Sequence, residues 1–457
     1  MSRFIHTAVG LLFFAAIPFT ATPQPSAATK EPAAAYPLTV SPNRRYLVDQ
    51  NNTPFLIAGE SPQALMVNVS ETDAERFFSN RQGHGFNTVW INLLCKPYTG
   101  GRPDGSTYDG ILPFTTPDDL STPNPVYFER CEHMIQLAAR HGLLVMLDPI
   151  ETGDFLKVML QNGPAKCRDY GRYVGARFQH FDNLLWFHGN DYQKWRDPTN
   201  DTVVTAVAFG IKDKDARHLH TIELDYEISG SLDDPRWEPI ISLCASYTYY
   251  PVYAQVLKDY NRPNFLPVCM IESDYEFERN STPATLRKIE YWSNLSGATG
   301  QMYGNGYTWP FKPGWQTNLD TPGAVQMAYV KTLFESHAWW ELVPDQKHEV
   351  VTSGYGTFDG VPTEGNHYNM TSDYVTAGRT PDGSLVMAYL PTSRPVTVAL
   401  NKMHGPATAR WYDPTCGRYL AIEGSPFTKL EKHEFIPPRH NADGDDDWVL
   451  VLEAGRQ

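Results

Sequence analysis

The feature that most constrains this chain is an alternation. Between Thr53 and about Trp340, short apolar runs are each followed by a polar loop and an amphipathic helical stretch. The runs are Phe55 to Ala58, Phe86 to Leu94, Leu143 to Leu147, Asn183 to Phe187, Leu219 to Leu224, Ile240 to Ala245, Leu266 to Ile271 and Thr299 to Tyr303. Such alternation is the signature of a parallel sheet with crossover helices. One unit shows the logic. Asn124-Pro125 predicts an N-cap and first helical residue, Phe128, Cys131, Ile135 and Ala138 recur at helical spacing, and Gly142 ends the helix. Leu143 to Leu147 is then apolar at every position, as in a strand buried on both faces. Ser70 and Asp73 form a capping pair ahead of the preceding helix. Eight such strands over roughly 290 residues fit a (β/α)8 TIM barrel. A doubly wound sheet needs a Gly-rich phosphate turn after its first strand, and the chain contains no G-x-G-x-x-G or G-K-[ST].

After Val343-Pro344 the helical period gives way to short strands separated by Gly, Pro, Asn and Asp, as in Ser384 to Tyr389 and Val396 to Leu400. This predicts a small all-β sandwich. At 457 residues the chain exceeds one core, since single cores stop growing near roughly 250 to 300 residues. The expected division is 1–35 signal peptide and leader, 36–343 catalytic barrel, and 344–457 β-sandwich.

Arg3 and His6, the apolar stretch Ala8 to Phe19, and the small residues and prolines that follow form a secretory signal pattern. The apolar stretch is too short to span a bilayer and no later stretch could, so a secreted or periplasmic protein without a membrane anchor is expected. The six cysteines lack C-x-x-C spacing and mostly sit in apolar runs, which predicts buried thiols and no zinc site. Lys plus Arg number 38 against 52 Asp plus Glu, a net charge of −14 that argues against nucleic-acid partners. Oligomeric state is left open.

In a TIM barrel, reacting groups belong at the C-terminal ends of the strands. Those positions are Glu60 after the first strand, Asn92 at the second, Asp148 at the third, Asn190 and Asp191 after the fourth, and Asp225 after the fifth. Tyr247 follows the sixth, Glu272 ends the seventh, and Gln301 and Trp309 attend the eighth. Acids after strands four and seven face each other across a barrel mouth. Glycoside hydrolysis needs such a pair, one carboxylic acid to protonate the leaving oxygen and one carboxylate to attack the anomeric carbon. Asp191 and Glu272 are the natural pair. The others, Glu60, Asn92, Asp148, Asn190, Asp225, Tyr247, Gln301 and Trp309, become candidate substrate contacts. No metal or other cofactor is expected.

Gly189-Asn190-Asp191, the strand Pro267 to Glu272 with Tyr275-Glu276 beyond it, and Gly297 to Gly304 with Trp309 resemble the apiosidase-like glycoside hydrolases. Trp411 to Tyr419 resembles a motif of that family's C-terminal domain, which carries a collagen-binding label. The resemblance implies a TIM barrel with Asp191 as acid/base and Glu272 as nucleophile. Three positions depart from the family pattern. Gly59-Glu60 stands for Gly-Asp, Gln301-Met302-Tyr303-Gly304 for His-Thr-Tyr-Gly, and Asp225-Tyr226 occupies the region of a fifth-strand His-Pro. These positions are expected to touch the sugar, so the resemblance carries over the hydrolytic pair and not apiose itself.

His218 and His220, two apart on a strand, lack a third ligand at metal spacing. Asn441 to Asp447 lacks the spaced Glu of a calcium loop and reads as a solvated hairpin tip. Ser61 and Ser273 lack a G-x-S-x-G elbow. The expectation is a secreted, retaining, cofactor-free glycoside hydrolase acting on plant or microbial polysaccharide or oligosaccharide. Its rival is a non-catalytic glycan- or matrix-binding protein on a barrel scaffold.

Overall fold

The computed structural model describes residues 34–226, 228–359, 369–429 and 431–455. The expected signal peptide and its cleavage region lie almost wholly outside these residues. Eight parallel strands occur where the apolar runs predict them, and we number them β1 Ile57–Glu60, β2 Thr88–Asn92, β3 Leu144–Asp148, β4 Leu184–His188, β5 His220–Ile222, β6 Cys244–Thr248, β7 Val268–Glu272 and β8 Ala298–Tyr303. β1 pairs with both β2 and β8, and β2 through β5 and β6 through β8 follow in order. The seam between β5 and β6 is bridged by Ser242 N–H to His220 O at 2.8 Å and by the Thr221 hydroxyl to Leu243 O at 2.9 Å. The barrel is thus closed.

Among the described residues, seven helices of nine residues or more surround it: α1 Glu71–Gly83, α2 Pro125–Arg140, α3 Phe155–Phe178, α4 Pro198–Lys212, α5 Val252–Tyr260, α6 Pro283–Leu295 and α7 Pro322–Glu335. The predicted caps form. Asp73 N–H donates to Ser70 Oγ at 3.1 Å, Val126 N–H donates to Asn124 Oδ1 at 3.2 Å, and Gly142 takes φ +70° beyond α2. Between β5 and β6 the crossover helix is replaced by an antiparallel strand, Ile228–Gly230, and two 3-10 turns.

Alternation along each strand decides what the site can use. Trp90, Met146, Phe187, Ala245, Ile271 and Met302 pack together inside the barrel, while Val89, Ile91, Val145, Leu147 and Trp186 pack outward under the helices. Met302 lies so close to Gly59 that a Cβ there would sit 2.1 Å from its sulfur. Glycine on β1 therefore makes room for methionine on β8.

The C-terminal strands are β9 Val343–Pro344, β10 Val351–Ser353, β11 Thr376–Arg379, β12 Leu385–Leu390, β13 Val396–Ala399, β14 Ala407–Asp413, β15 Arg418–Ala421, β16 Lys432–Phe435 and β17 Trp448–Ala454. They form a six-stranded antiparallel sheet, β9-β11-β12-β17-β14-β15, and a three-stranded one, β10-β13-β16. β12 is buried on both faces. Val386, Ala388 and Leu390 enter the sandwich core, whereas Leu385, Met387 and Tyr389 join the core of the barrel's helix layer. The Asn441 to Asp447 segment is solvated at its tip, where Ala442, Asp443, Gly444 and Asp446 are exposed, but it also carries a buried contact that the sequence reading did not anticipate. Asp447 is buried and, with Asp445, pairs at 2.7 Å with the fully buried Arg287 of α6. A buried guanidinium needs such partners, so the segment is an anchor between barrel and sandwich. All six cysteines are unpaired, five of them buried.

Candidate active site

Gly189, Asn190 and Asp191 follow β4 with three successive positive φ angles, +103°, +58° and +56°. Any side chain at Gly189 would strike Glu223 O at 2.1 Å, so glycine is required there. The two non-glycine residues beyond it hold left-handed backbone, a conformation that persists where surrounding structure imposes it. Two contacts impose it here. Asn92 Nδ2 donates to Asn190 Oδ1 at 2.8 Å, and Asp191 N–H donates to Glu223 Oε2 at 2.9 Å. Asn92 is itself held by Trp90 Nε1 at 2.9 Å.

Across the mouth, the β6–β7 register shifts. Ser246 is opposite Met270, but Tyr247 is opposite Glu272. The extra residue, Ile271, forms a bulge that carries Glu272 onto the inward face beside Tyr247, the kind of re-aiming that bulges provide near sites. Three phenols then donate to Glu272: Tyr247 and Tyr249 to Oε1 at 2.8 and 2.9 Å, and Tyr275 to Oε2 at 2.8 Å. Asp191 has a different environment. Its Oδ2 accepts from Tyr98 at 2.7 Å, while its buried Oδ1 has no partner among the described residues.

A third carboxylate joins them. Glu223, just past β5 and on the inward face, is fully buried, and its Oε1 has no partner among the described residues. Burial and the neighbouring Glu272 and Asp191 drive its carboxyl well above the usual range. Glu272 is pushed up to about 8 by burial and then by Asp191, and Asp191 is raised by burial, against the Tyr98 and Tyr247 hydroxyls that favour its anion. Burial raises Asp148 strongly too. Carboxyls this close cannot all ionise, so the group holds protons near neutrality.

The structure gathers Asn92, Asp148, Asn190, Asp191, Tyr247 and Glu272 about the mouth. Asp225 lies at the rim, paired with Arg196 at 2.6 Å. Trp309 is half-buried, its indole N–H donating to Glu278 at 2.7 Å. Glu60 and Gln301 are corrections, since strand parity turns both outward. Glu60 is fully buried in an ion pair with Arg81 of α1 and also accepts from the Thr308 hydroxyl at 2.5 Å. Gln301 accepts from Asn294 of α6 at 2.7 Å and reaches Met327 of α7. His218 and His220 also face the helix layer, where His218 contacts Asp215 and His220 contacts His188.

Sequence reasoning that looks just past each apolar run misses Glu223, which sits inside the run Leu219 to Leu224. A carboxylate inside a buried strand at inward parity was the available signal. Tyr98 comes from the long β2–α2 loop and Tyr249 from just beyond β6, where no pattern marks them. Among the described residues no group of His, Cys, Asp and Glu side chains could hold a metal ion.

Two family models match the chain. The C-terminal one, described as "Putative collagen-binding domain of a collagenase", spans residues 364–453. No curated protein matches. Among solved structures, one described as a glycoside hydrolase has a TM-score of 0.77 at 22% identity, covering 93% of this chain and 98% of its own. A glycoside hydrolase family 5 structure from Bacteroides vulgatus has a TM-score of 0.76 at 21% identity, covering 91% and 93%. At such identities the likeness shows a shared fold. The second model, "Apiosidase-like, catalytic domain", spans residues 41–341 and so takes in every barrel strand and all seven helices, and by that match the chain belongs to the apiosidase-like family of glycosidases.

Proposed function

We propose that this glycosidase is a secreted enzyme that cleaves O-glycosidic bonds of plant or microbial polysaccharide or oligosaccharide with retention, Asp191 acting as acid/base and Glu272 as nucleophile. The observation that carries the assignment is the contrast between the two carboxyl environments. Glu272 receives three O–H donors, which stabilise an anion. Asp191 is half-buried, faces two other carboxylates, and keeps its Oδ1 free of partners among the described residues. In this reading the proton to be transferred sits on Asp191, whose Oδ1 has no partner among the described residues, and the negative charge sits on Glu272, where three hydroxyls can receive it. Glu272 then attacks the anomeric carbon and the glycosyl–oxygen bond breaks as Asp191 gives up its proton. Water attacks the glycosyl-enzyme in the second step, returning a proton to Asp191 and releasing Glu272.

The test is a panel of 4-nitrophenyl glycosides and pectic oligosaccharides. With the fastest substrate, Glu272→Gln and Asp191→Asn each lower kcat by several orders of magnitude while Tm stays close to wild type. A variant keeping more than about a tenth of wild-type turnover removes its residue from the mechanism. The roles separate with leaving-group ability. Asp191→Ala retains activity on activated aryl glycosides and yields a glycosyl azide when azide is added, whereas Glu272→Ala does neither with retention of configuration. The opposite pattern exchanges the two roles.

A further inference from the structure

The segment leading into β11 lies across the barrel. Tyr253 of α5 and Ser372 share a hydroxyl contact at 2.9 Å, Lys288 of α6 donates to Met370 O at 2.9 Å, and Trp292 of α6 donates to Tyr374 O at 2.9 Å. These contacts dock the segment on the helix layer. Asn369 does something else. It is fully buried, and its side-chain amide bonds three groups of the barrel. Oδ1 accepts from Val252 N–H at 3.2 Å, and Nδ2 donates to Ser273 Oγ at 2.9 Å and to Asp274 Oδ2 at 3.0 Å. Ser273 and Asp274 directly follow Glu272.

From Asp274 a path of charge and then of contact returns to the Glu272 carboxylate. The charge of Arg279 acts on Asp274, and its guanidinium lies 3.7 Å from the centre of the Tyr249 ring. The Tyr249 hydroxyl donates to Glu272 Oε1 at 2.9 Å. Arg279 is held at φ +48°, and Phe277 and Asn280 near it also have positive φ, a conformation that persists where surrounding structure imposes it. The Asn369 bonds are the restraint that arrives from outside the barrel.

We propose that Asn369 is a positioning residue for the active site, holding the Ser273-Asp274 step behind Glu272 and, through Asp274 and Arg279, setting Tyr249 on the Glu272 carboxylate. The C-terminal part of the chain thereby completes the site that the barrel carries. This rests on Glu272 being the nucleophile, and the experiment separates the two claims.

Asn369→Asp preserves shape and the acceptor for Val252 N–H, removes both donations, and sets a carboxylate against Asp274. The groups facing Asp274 are then Arg279, Ser273 and the new carboxylate. On the 4-nitrophenyl glycoside turned over fastest in the panel, we expect kcat to fall on the order of 10- to 100-fold at neutral pH with KM nearly unchanged. Activity recovers as pH falls, because a proton shared between the two carboxyls rebuilds an O–H bridge, so the alkaline limb of the pH profile moves to lower pH. Asn369→Ala loses the bonds without adding charge; its kcat falls without recovery at low pH. Ser372→Ala, on the same segment but with no path to Glu272, lowers Tm and leaves the pH profile in place. Independently of any substrate, amide hydrogen exchange across residues 268–276 accelerates in both Asn369 variants and not in Ser372→Ala. Wild-type kcat and pH profile in the Asn369 variants, or an equal shift in Ser372→Ala, overturns the proposal. Full turnover by Glu272→Gln overturns the nucleophile assignment instead, and the exchange measurement then still decides whether Asn369 restrains the 272–276 segment.

Discussion

Asp191, Glu223 and Glu272 act on one another too strongly to titrate as independent carboxylic acids, and Glu223 and Glu272 are buried from water. Each is raised by burial, and Glu223 and Glu272 are raised further by carboxylate neighbours. In the proposed mechanism the active form has one proton to give and one carboxylate to attack, and it is populated between the loss of the cluster's first and later protons. Because the folded-state values are raised, both limbs of the kcat/KM bell lie above the ordinary carboxylate range. Its optimum therefore moves toward neutrality, with the acidic limb set by ionisation of Glu272 and the alkaline limb by loss of the Asp191 proton, the two coupled groups sharing these values. Glu223→Gln removes a carboxyl that shares the cluster's protons and charge, and keeps an acceptor for Asp191 N–H. The expected outcome is that the bell shifts to lower pH with a modest fall in kcat, whereas an unshifted profile would remove Glu223 from the electrostatics of the site. At this scale the placement of Asp191 and Glu272 at the barrel mouth was legible because topology restricts where residues that follow a strand can sit. Glu223 was less legible, since it lies within an apolar run and its importance depends on inward parity.

Parity also governs the elements. β1 ends Gly59-Glu60 with Gly59 facing Met302 inside the barrel, so Glu60 must face α1, and Arg81 meets it there with both side chains fully buried. The pair ties the first strand to the first long helix, and Arg81 also donates to Leu319 O at 2.6 Å, reaching the β8–α7 connection. Removing one partner leaves an uncompensated buried charge, which costs about 3 to 5 kcal/mol. Arg81→Leu should accordingly lower Tm far more than the double variant Arg81→Leu with Glu60→Leu, and the double variant should retain its pH profile. Denaturation curves for the three proteins, with kcat/KM against pH for the double variant, check this; a displaced pH profile would return Glu60 to the site. The same reasoning explains why strand positions were readable while some of their occupants were misassigned. An apolar run locates a strand, but a bulge such as that at Ile271 exchanges inward for outward and leaves no mark in composition.

For the whole molecule, the most informative pattern was in β12 and was only half read. Leu385 to Leu390 is apolar at nearly every step, which in an otherwise alternating domain means that both faces are buried. One face fills the sandwich, and the other, through Leu385, Met387 and Tyr389, continues the core beneath α6 and α7. Tyr389 stacks on Tyr291 of α6 with ring centres 4.8 Å apart, and Arg287 of the same helix inserts between Asp445 and Asp447. The sandwich thus has a core of its own and also shares one with the barrel's helix layer through β12, and the described residues from Ala34 onward form one compact unit. A shared core couples unfolding, because exposing one side strands apolar surface and a buried charge on the other. Calorimetry should show one transition, with hydrogen exchange reporting loss of protection in β7 and β17 at the same denaturant concentration. Arg287→Met leaves Asp447 buried beside Tyr389 and Asn441 without its cation. It should lower that transition by about 3 to 5 kcal/mol, with β17 now losing protection before β7. Two separate transitions in the wild-type protein would mean that the sandwich merely rests against the barrel.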